Sequence, residues 1–142
     1  MKIRIKKVDQ SAIIPQYQSN EAAGFDLHSL GKYVLEPGER VLVSTGLAMA
    51  LDKGYELQIR PRSGLAYKHG ITVLNSPGTI DSDYRGEVKV LLINHSDNQF
   101  VVESGERIAQ GVLQEVIHAD IEIVEELDDT ERGSGGFGST GK

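Results

Sequence analysis

Between Asn75 and Glu87 the chain reads Asn-Ser-Pro-Gly-Thr-Ile-Asp-Ser-Asp-Tyr-Arg-Gly-Glu. Pro77 sets φ and Gly78 tolerates positive φ, so the stretch opens as a turn. The carboxylates Asp81 and Asp83, the aromatic Tyr84 and the cation Arg85 then precede an apolar run, Val88 to Ile93. A plain hairpin needs only about two to five loop residues. Acids, an amide and an aromatic crowded into one turn suit a binding or catalytic loop. A carboxylate here can hold a water as general base. On an extended chain Asp81 and Asp83 point opposite ways, so one can do that work while the other serves the turn. Both also read as solvated turn carboxylates.

Four further stretches carry candidate chemistry. Arg60-Pro61-Arg62-Ser63-Gly64 precedes a short helical pattern ending at Gly70, with Ser63 as the expected cap. Arg62, Ser63 and Gly64 together offer forked donors, a hydroxyl and an unobstructed backbone. That is either a phosphate clamp or a helix cap beside a surface arginine. Asp26, within Ala22-Ala23-Gly24-Phe25-Asp26-Leu27, follows small residues and reads as an aspartate where a strand begins, bonded to its own backbone. Gln110, in Gly105-Glu106-Arg107-Ile108-Ala109-Gln110, presents either an amide for a ligand or a polar strand face. Residues 136–142, Gly-Phe-Gly-Ser-Thr-Gly-Lys, spell most of a P-loop, but an acidic turn stands where the required strand would be. The P-loop reading is therefore rejected. The backbone N–H groups there, with Arg132, suit either an anion wrap or a mobile tail. The histidines His28, His69, His95 and His118 lack metal-ligand spacing.

Short alternating segments punctuated by glycine and proline must position these groups. They run at Ile3–Ile5, Tyr33–Leu35, Val41–Val43, Leu47–Leu51, Tyr55–Ile59, Ile71–Leu74, Val88–Ile93, Phe100–Val102, Ile108–Val116 and Ile121–Val124. Such spacing predicts an all-β jelly roll, as barrel or sandwich, with one short helix. Ser44-Thr45-Gly46 is expected to separate two strands. Residues 1–131 form the expected β domain, and the glycine-rich residues 132–142 a flexible segment. With 142 residues and a formal net charge of −6, one domain and no field for nucleic acid are expected. The chain has no cysteine, which excludes disulfides and thiolate metal sites. No apolar run has the length of a membrane span, and the first residues alternate like a strand rather than a signal peptide. A cytoplasmic protein is the expectation.

Taken in order, five stretches resemble the motifs of the trimeric dUTPases, the deoxyuridine 5′-triphosphate nucleotidohydrolases. They are Ala-Gly-Phe-Asp-Leu at 23–27, Pro-Arg-Ser-Gly-Leu-Ala at 61–66, Gly-Thr-Ile-Asp-Ser-Asp-Tyr-Arg-Gly-Glu at 78–87, Gly-Glu-Arg-Ile-Ala-Gln at 105–110, and Arg-Gly-Ser-Gly-Gly-Phe-Gly-Ser-Thr-Gly at 132–141. Phe25 stands where many members carry tyrosine. The resemblance implies a jelly-roll subunit in a homotrimer whose three sites each draw on all three chains. It implies Mg²⁺-dependent hydrolysis of dUTP to dUMP and pyrophosphate, which limits uracil in DNA and supplies dUMP for thymidylate synthesis.

By the same resemblance Asp81 is the base that orients water for attack on the α-phosphorus. Asn75, with the Thr79–Ile80–Asp81 backbone, reads uracil, and Tyr84 lies against deoxyribose. Lys89 touches substrate through its backbone. Arg62, Ser63, Gly64 and Gln110 hold phosphates. Arg132, Gly138, Ser139 and Thr140 close on the γ-phosphate, and Phe137 stacks on the base. Asp26 reaches the metal through water. Two rivals are a dCTP deaminase of the same fold, which uses a glutamate and lacks this tail, and a nucleotide-binding module without turnover.

Overall fold

The computed structural model describes residues 1–141. Its strands are β1 (Arg4–Lys7), β2 (Gly24–His28), β3 (Tyr33–Leu35), β4 (Arg40–Ala50), β5 (Tyr55–Arg60), β6 (Ile71–Val73), β7 (Gly78–Ile80), β8 (Glu87–Asn94), β9 (Phe100–Val102) and β10 (Arg107–Glu115). A single helix among the described residues, α1 (Ser63–His69), joins β5 to β6. Two four-stranded sheets, ordered β1-β4-β8-β6 and β2-β10-β5-β7, and a β3-β9 ribbon make up the architecture. All pairings are antiparallel. This is the predicted jelly roll in its sandwich form, since the sheets stay open rather than closing into a barrel. No helix among the described residues is long and apolar enough to cross a membrane.

Alternation drives the packing. Along β8, Val88, Val90 and Leu92 are buried while Lys89 faces solvent. Opposite them β5 and β2 contribute Leu57, Ile59, Phe25 and Leu27 to the same core. Full burial of such side chains stabilises by roughly 1.5–3 kcal/mol each. Asn94 is a buried polar exception with its bonds satisfied. Its Nδ2 donates to the Leu35 carbonyl at 3.0 Å and the Asn98 carbonyl at 2.7 Å, tying β8 to the ribbon.

Four local expectations are corrected. Ser44-Thr45-Gly46 does not separate two strands. β4 runs through it, with Gly46 at φ 71° and a register shift against β8 between Ser44 and Ala48. A bulge absorbs the glycine because Thr45 Oγ1 stays bonded to the Val88 carbonyl at 2.6 Å. Ser63 does not cap α1. Arg62 occupies the N-cap position in an extended conformation without a side-chain cap bond, whereas Gly70 closes the helix at φ 65° as expected. Asp26 lies in the middle of β2, not where it begins. Ile121–Val124 is no strand. Beyond the Val116 amide bond to the Gly54 carbonyl, residues 117–129 make no backbone–backbone hydrogen bond among the described residues. Ile121 and Ile123 are 93% and 97% exposed there, because no strand of the same chain lies alongside.

Candidate active site

The segment from Ser76 to Glu87 builds the first half of the site. β7 pairs with β5, with Thr79 opposite Gln58 and Ile80 opposite Leu57. A turn follows, closed by the Tyr84 amide donating to the Asp81 carbonyl at 3.1 Å. The Tyr84 hydroxyl donates to the Glu87 carbonyl at 3.0 Å, which folds the ring back over Gly86. A Cβ at Gly86 would overlap that hydroxyl, so glycine is required for the ring's position. Arg85 turns inward on the loop, donating to the Ser82 and Tyr84 carbonyls.

The result is a cleft of about 310 Å³ lined by Leu42, Thr79, Ile80, Asp81, Tyr84, Glu87, Val88 and Lys89. Asp81 also borders a second groove, of about 560 Å³, on the other side of the loop with Asp83 and Arg85. The two carboxylates of the first cleft differ in state. Glu87 accepts the Gly46 amide at 2.9 Å and lies 3.9 Å from the Lys89 ammonium. Asp81 has no hydrogen bond or ion pair to its carboxylate among the described residues. It is therefore the acceptor free to hold a water. The Asn75 amide is not part of the cleft wall. It lies over β7, its Nδ2 3.5 Å from where a Cβ on Gly78 would stand.

A second constellation forms where β2, β10 and the start of α1 meet. In β10 Gln110 stands opposite Asp26 on one side and Arg60 on the other. Its Nε2 donates to the Pro61 carbonyl at 3.1 Å, so the amide holds the backbone leading into Arg62. Arg62 Nε lies 3.3 Å from Asp26 Oδ1, and Arg62 Nη1 donates to the Arg107 carbonyl at 3.1 Å. Arg107 Nη1 lies 3.5 Å from Asp26 Oδ2. One carboxylate thus sits between two guanidinium groups, a net positive cluster suited to an anion. His28 stands beside it with a buried, unbonded Nδ1. Burial lowers its pKa, the Arg107 and Arg62 charges lower it further, and Asp26 opposes them. A groove of about 430 Å³ runs past Arg62, Arg107, His28 and His69.

Sequence reasoning missed two of these features. Arg107 lies in the 105–110 motif without an assigned role, yet it completes the cluster. Glu87 closes the 78–87 motif without an assigned role, yet it lines the cleft. No break in alternation singles out Arg107, since β10 carries buried neighbours twice, at Ile108–Ala109 and at Gly111–Val112.

One chain does not assemble all the expected site residues. The Asp81 cleft and the Arg62 groove share no lining residue. Ser63 and Gly64 open α1 on the exposed surface. Among the described residues the tail bonds to itself and to the adjoining Thr130: Arg132 Nε donates to the Gly135 carbonyl at 2.8 Å, Ser139 to Gly136, Gly141 to Gly138, and the Gly133 amide to Thr130. Phe137 is fully exposed with a positive φ of 51°. Lys142 of the P-loop-like run lies outside the described residues.

The fold is thus an open jelly-roll sandwich carrying an arginine pair about one carboxylate and an aromatic-walled cleft bordered by a free carboxylate. The dUTPase family model matches residues 10–141. The chain belongs to the dUTPase family. It is similar to the deoxyuridine 5′-triphosphate nucleotidohydrolases of Nautilia profundicola, at 67% identity with both chains covered in full, and of Wolinella succinogenes, at 62% identity over 100% of this chain and 95% of that one. Its fold matches the dUTPase of Staphylococcus bacteriophage 80alpha solved with dUPNHPP, with a TM-score of 0.91 at 28% identity and 99% of each chain covered.

Proposed function

We propose that this protein hydrolyses dUTP to dUMP and pyrophosphate. The observation that carries the reading is Asp81, an unpaired carboxylate on the wall of the Tyr84 cleft, beside a Glu87 already engaged by Gly46 and Lys89. A base must have a free acceptor for the proton it takes. Asp81 holds water against the α-phosphorus and accepts its proton. The new oxygen–phosphorus bond forms as the bond to the bridging oxygen breaks, and pyrophosphate leaves. Asn75 and the Thr79–Ile80 backbone read uracil. Tyr84, pinned by its bond to the Glu87 carbonyl, leaves no room for a ribose hydroxyl. Lys89 contributes through its backbone.

Arg62 and the free backbone at Ser63 and Gly64 neutralise phosphate charge, which with positioning carries most of the catalysis. Gln110 serves by holding Pro61. Residues 1–131 act as the β domain and 132–142 as the lid, with Arg132, Gly138, Ser139 and Thr140 on the terminal phosphate and Phe137 on the base. Closure excludes water from the site.

The donor chemistry suits Mg²⁺ carried by the phosphates. No group of three His, Asp or Glu side chains among the described residues could hold an ion directly. Mg²⁺ commonly takes one or two carboxylates plus phosphate oxygens and keeps its waters. Asp26, 18% exposed, would meet it through water. When bound, the ion neutralises charge on the departing pyrophosphate.

A homotrimer with shared sites accounts for the dispersal of the site along one chain. The separation of the cleft, the clamp and the tail supports it, as does the row of exposed side chains Ile117, Ile121, Ile123 and Leu127 on an unpaired backbone. Exposed apolar surface of that kind marks an interaction site. Cytoplasmic action on free nucleotide pools, limiting uracil in DNA and supplying dUMP, follows from the same activity. The test is pyrophosphate release from dUTP beside dCTP, UTP and dTTP, with and without Mg²⁺. Turnover of dUTP alone is expected. Ammonia released from dCTP, or binding of dUTP without turnover, would overturn the reading.

A further inference from the structure

The Asp26–Arg62–Arg107 cluster depends on a bulge in β10. Counting back from the Gln110–Asp26 pair, regular alternation would set Ala109 opposite Leu27 and Ile108 opposite His28. The register instead shifts between Arg107 and Ala109, and Arg107 stands opposite His28. Ile108 and Ala109 are both buried, at 2% and 0% exposure, so the extra residue has gone into the core. Asp26 and His28 share one face of β2, since side chains alternate along a strand. The bulge therefore brings Arg107 round to the face that carries Asp26, Gln110 and, across the sheet, Arg60 and the approach to Arg62. Re-aiming one side chain next to a functional site is what bulges commonly do.

From this geometry we infer that Arg107 is a positioning residue for triphosphate recognition: it anchors Asp26, and through Asp26 and its own carbonyl it fixes the Arg62 guanidinium in the phosphate-binding orientation. The inference rests on the proposed role of Arg62 in holding phosphates. Arg62 has two ties, Nε to Asp26 and Nη1 to the Arg107 carbonyl, and Arg107 supplies one and steadies the other. Without the Arg107 charge, Asp26 pairs with Arg62 alone and is free to swing with it. A guanidinium held at two points loses less freedom when it meets phosphate than a free one. The Arg107 side chain is 52% exposed, so its fork is not required to fill the core.

The experiment uses the full-length assembled protein and two probes, dUMP and the imido analogue of dUTP, in Mg²⁺ buffer. Arg107→Met keeps the aliphatic stem and removes the charge. The analogue should bind roughly five- to tenfold more weakly, between the limits for exposed and buried ion pairs. Affinity for dUMP should change less than about twofold, and the unfolding midpoint should stay put. Arg107→Lys, which restores a cation beside Asp26, should recover most of the loss. In an Arg62→Gln background the further change Arg107→Met should cost under about twofold, because a residue acting through another is non-additive with it.

Additive losses would overturn the inference by making Arg107 a direct phosphate ligand. Equal weakening of dUMP and the analogue would make Arg107 a structural residue, and unchanged analogue binding would remove its role. Failure of the native protein to turn over dUTP strikes the proposed function instead, and an Arg62→Gln variant with native affinity strikes the clamp.

Discussion

The Tyr84 amide donates to the Asp81 carbonyl at 3.1 Å, so the proposed base and the proposed sugar platform are the two ends of one turn. That bond couples their backbones, while the Tyr84 ring is set separately by the Glu87 carbonyl. The Asp81 carboxylate needs no partner within the chain to hold its place, because the turn holds its backbone.

Asp81→Asn should keep the turn and the cleft, since neither uses the carboxylate. Turnover of dUTP should fall by about 10²–10⁴, the usual contribution of a general base. Binding of the imido analogue should stay near native. Steady-state kinetics alongside titration calorimetry checks both.

Gly86→Ala tests the Tyr84 ring without touching it. The new Cβ would overlap the Tyr84 hydroxyl, so the ring must leave its bond to the Glu87 carbonyl. Overpacking of this kind costs about 1–3 kcal/mol where the neighbour cannot yield. The expected outcome is discrimination between dUTP and UTP reduced roughly tenfold, because a displaced ring no longer fills the space a ribose hydroxyl would take. Competition kinetics with both nucleotides measures it, and native selectivity would remove Tyr84 from the sugar pocket.

Deleting residues 132–142 breaks, among the described residues, no hydrogen bond to the β domain beyond that of the Gly133 amide to Thr130. Unfolding midpoint and assembly state should hold. Hydrolysis should fall by about two orders of magnitude or more as water exclusion and phosphate contacts are lost. Full activity of the truncated protein would end the lid assignment.

Replacing Ile117, Ile121 and Ile123 together by serine should leave the β domain folded, since all three are exposed within one chain. If they are covered in a trimer, each loses about 1.5–3 kcal/mol of burial. Sedimentation should then show dissociation at micromolar protein, with activity lost in step. A trimer of native stability would assign this segment elsewhere.

The N-terminus should respond to acid. The Lys2 amide, donating to Asp52 Oδ2 at 3.2 Å, holds that carboxyl below the usual aspartate range. Desolvation opposes this in part, and Arg4, at 3.2 Å from Oδ1, adds a lesser lowering. A depressed pKa stabilises above the unfolded value, and the benefit disappears as pH falls through the folded one. Amide exchange across β1 should therefore be faster in Asp52→Asn than in the native chain near neutral pH. The two proteins should become alike under acid.

Much of the molecule was legible in its sequence because the governing physics is local. Alternation along β8 and β5 told core from surface, Gly70 marked the helix end, and the order of the motifs marked the family. Where local rules competed, the reading failed. Gly46 spelled a turn and became a bulge because β8 pairs across it. Ile121–Val124 spelled a strand but found no neighbour in its own chain.

The sequence by itself determined which residue types are available, an acid, an amide and an aromatic in one turn and arginines before a short helix. Tertiary structure alone decided that Asp26 meets Arg107 from 81 positions away, and that Asp81 stays free while Glu87 is taken. The reason is register: a single extra residue in β10 turns every side chain before it to the other face, and only the partner strand determines where that residue is placed.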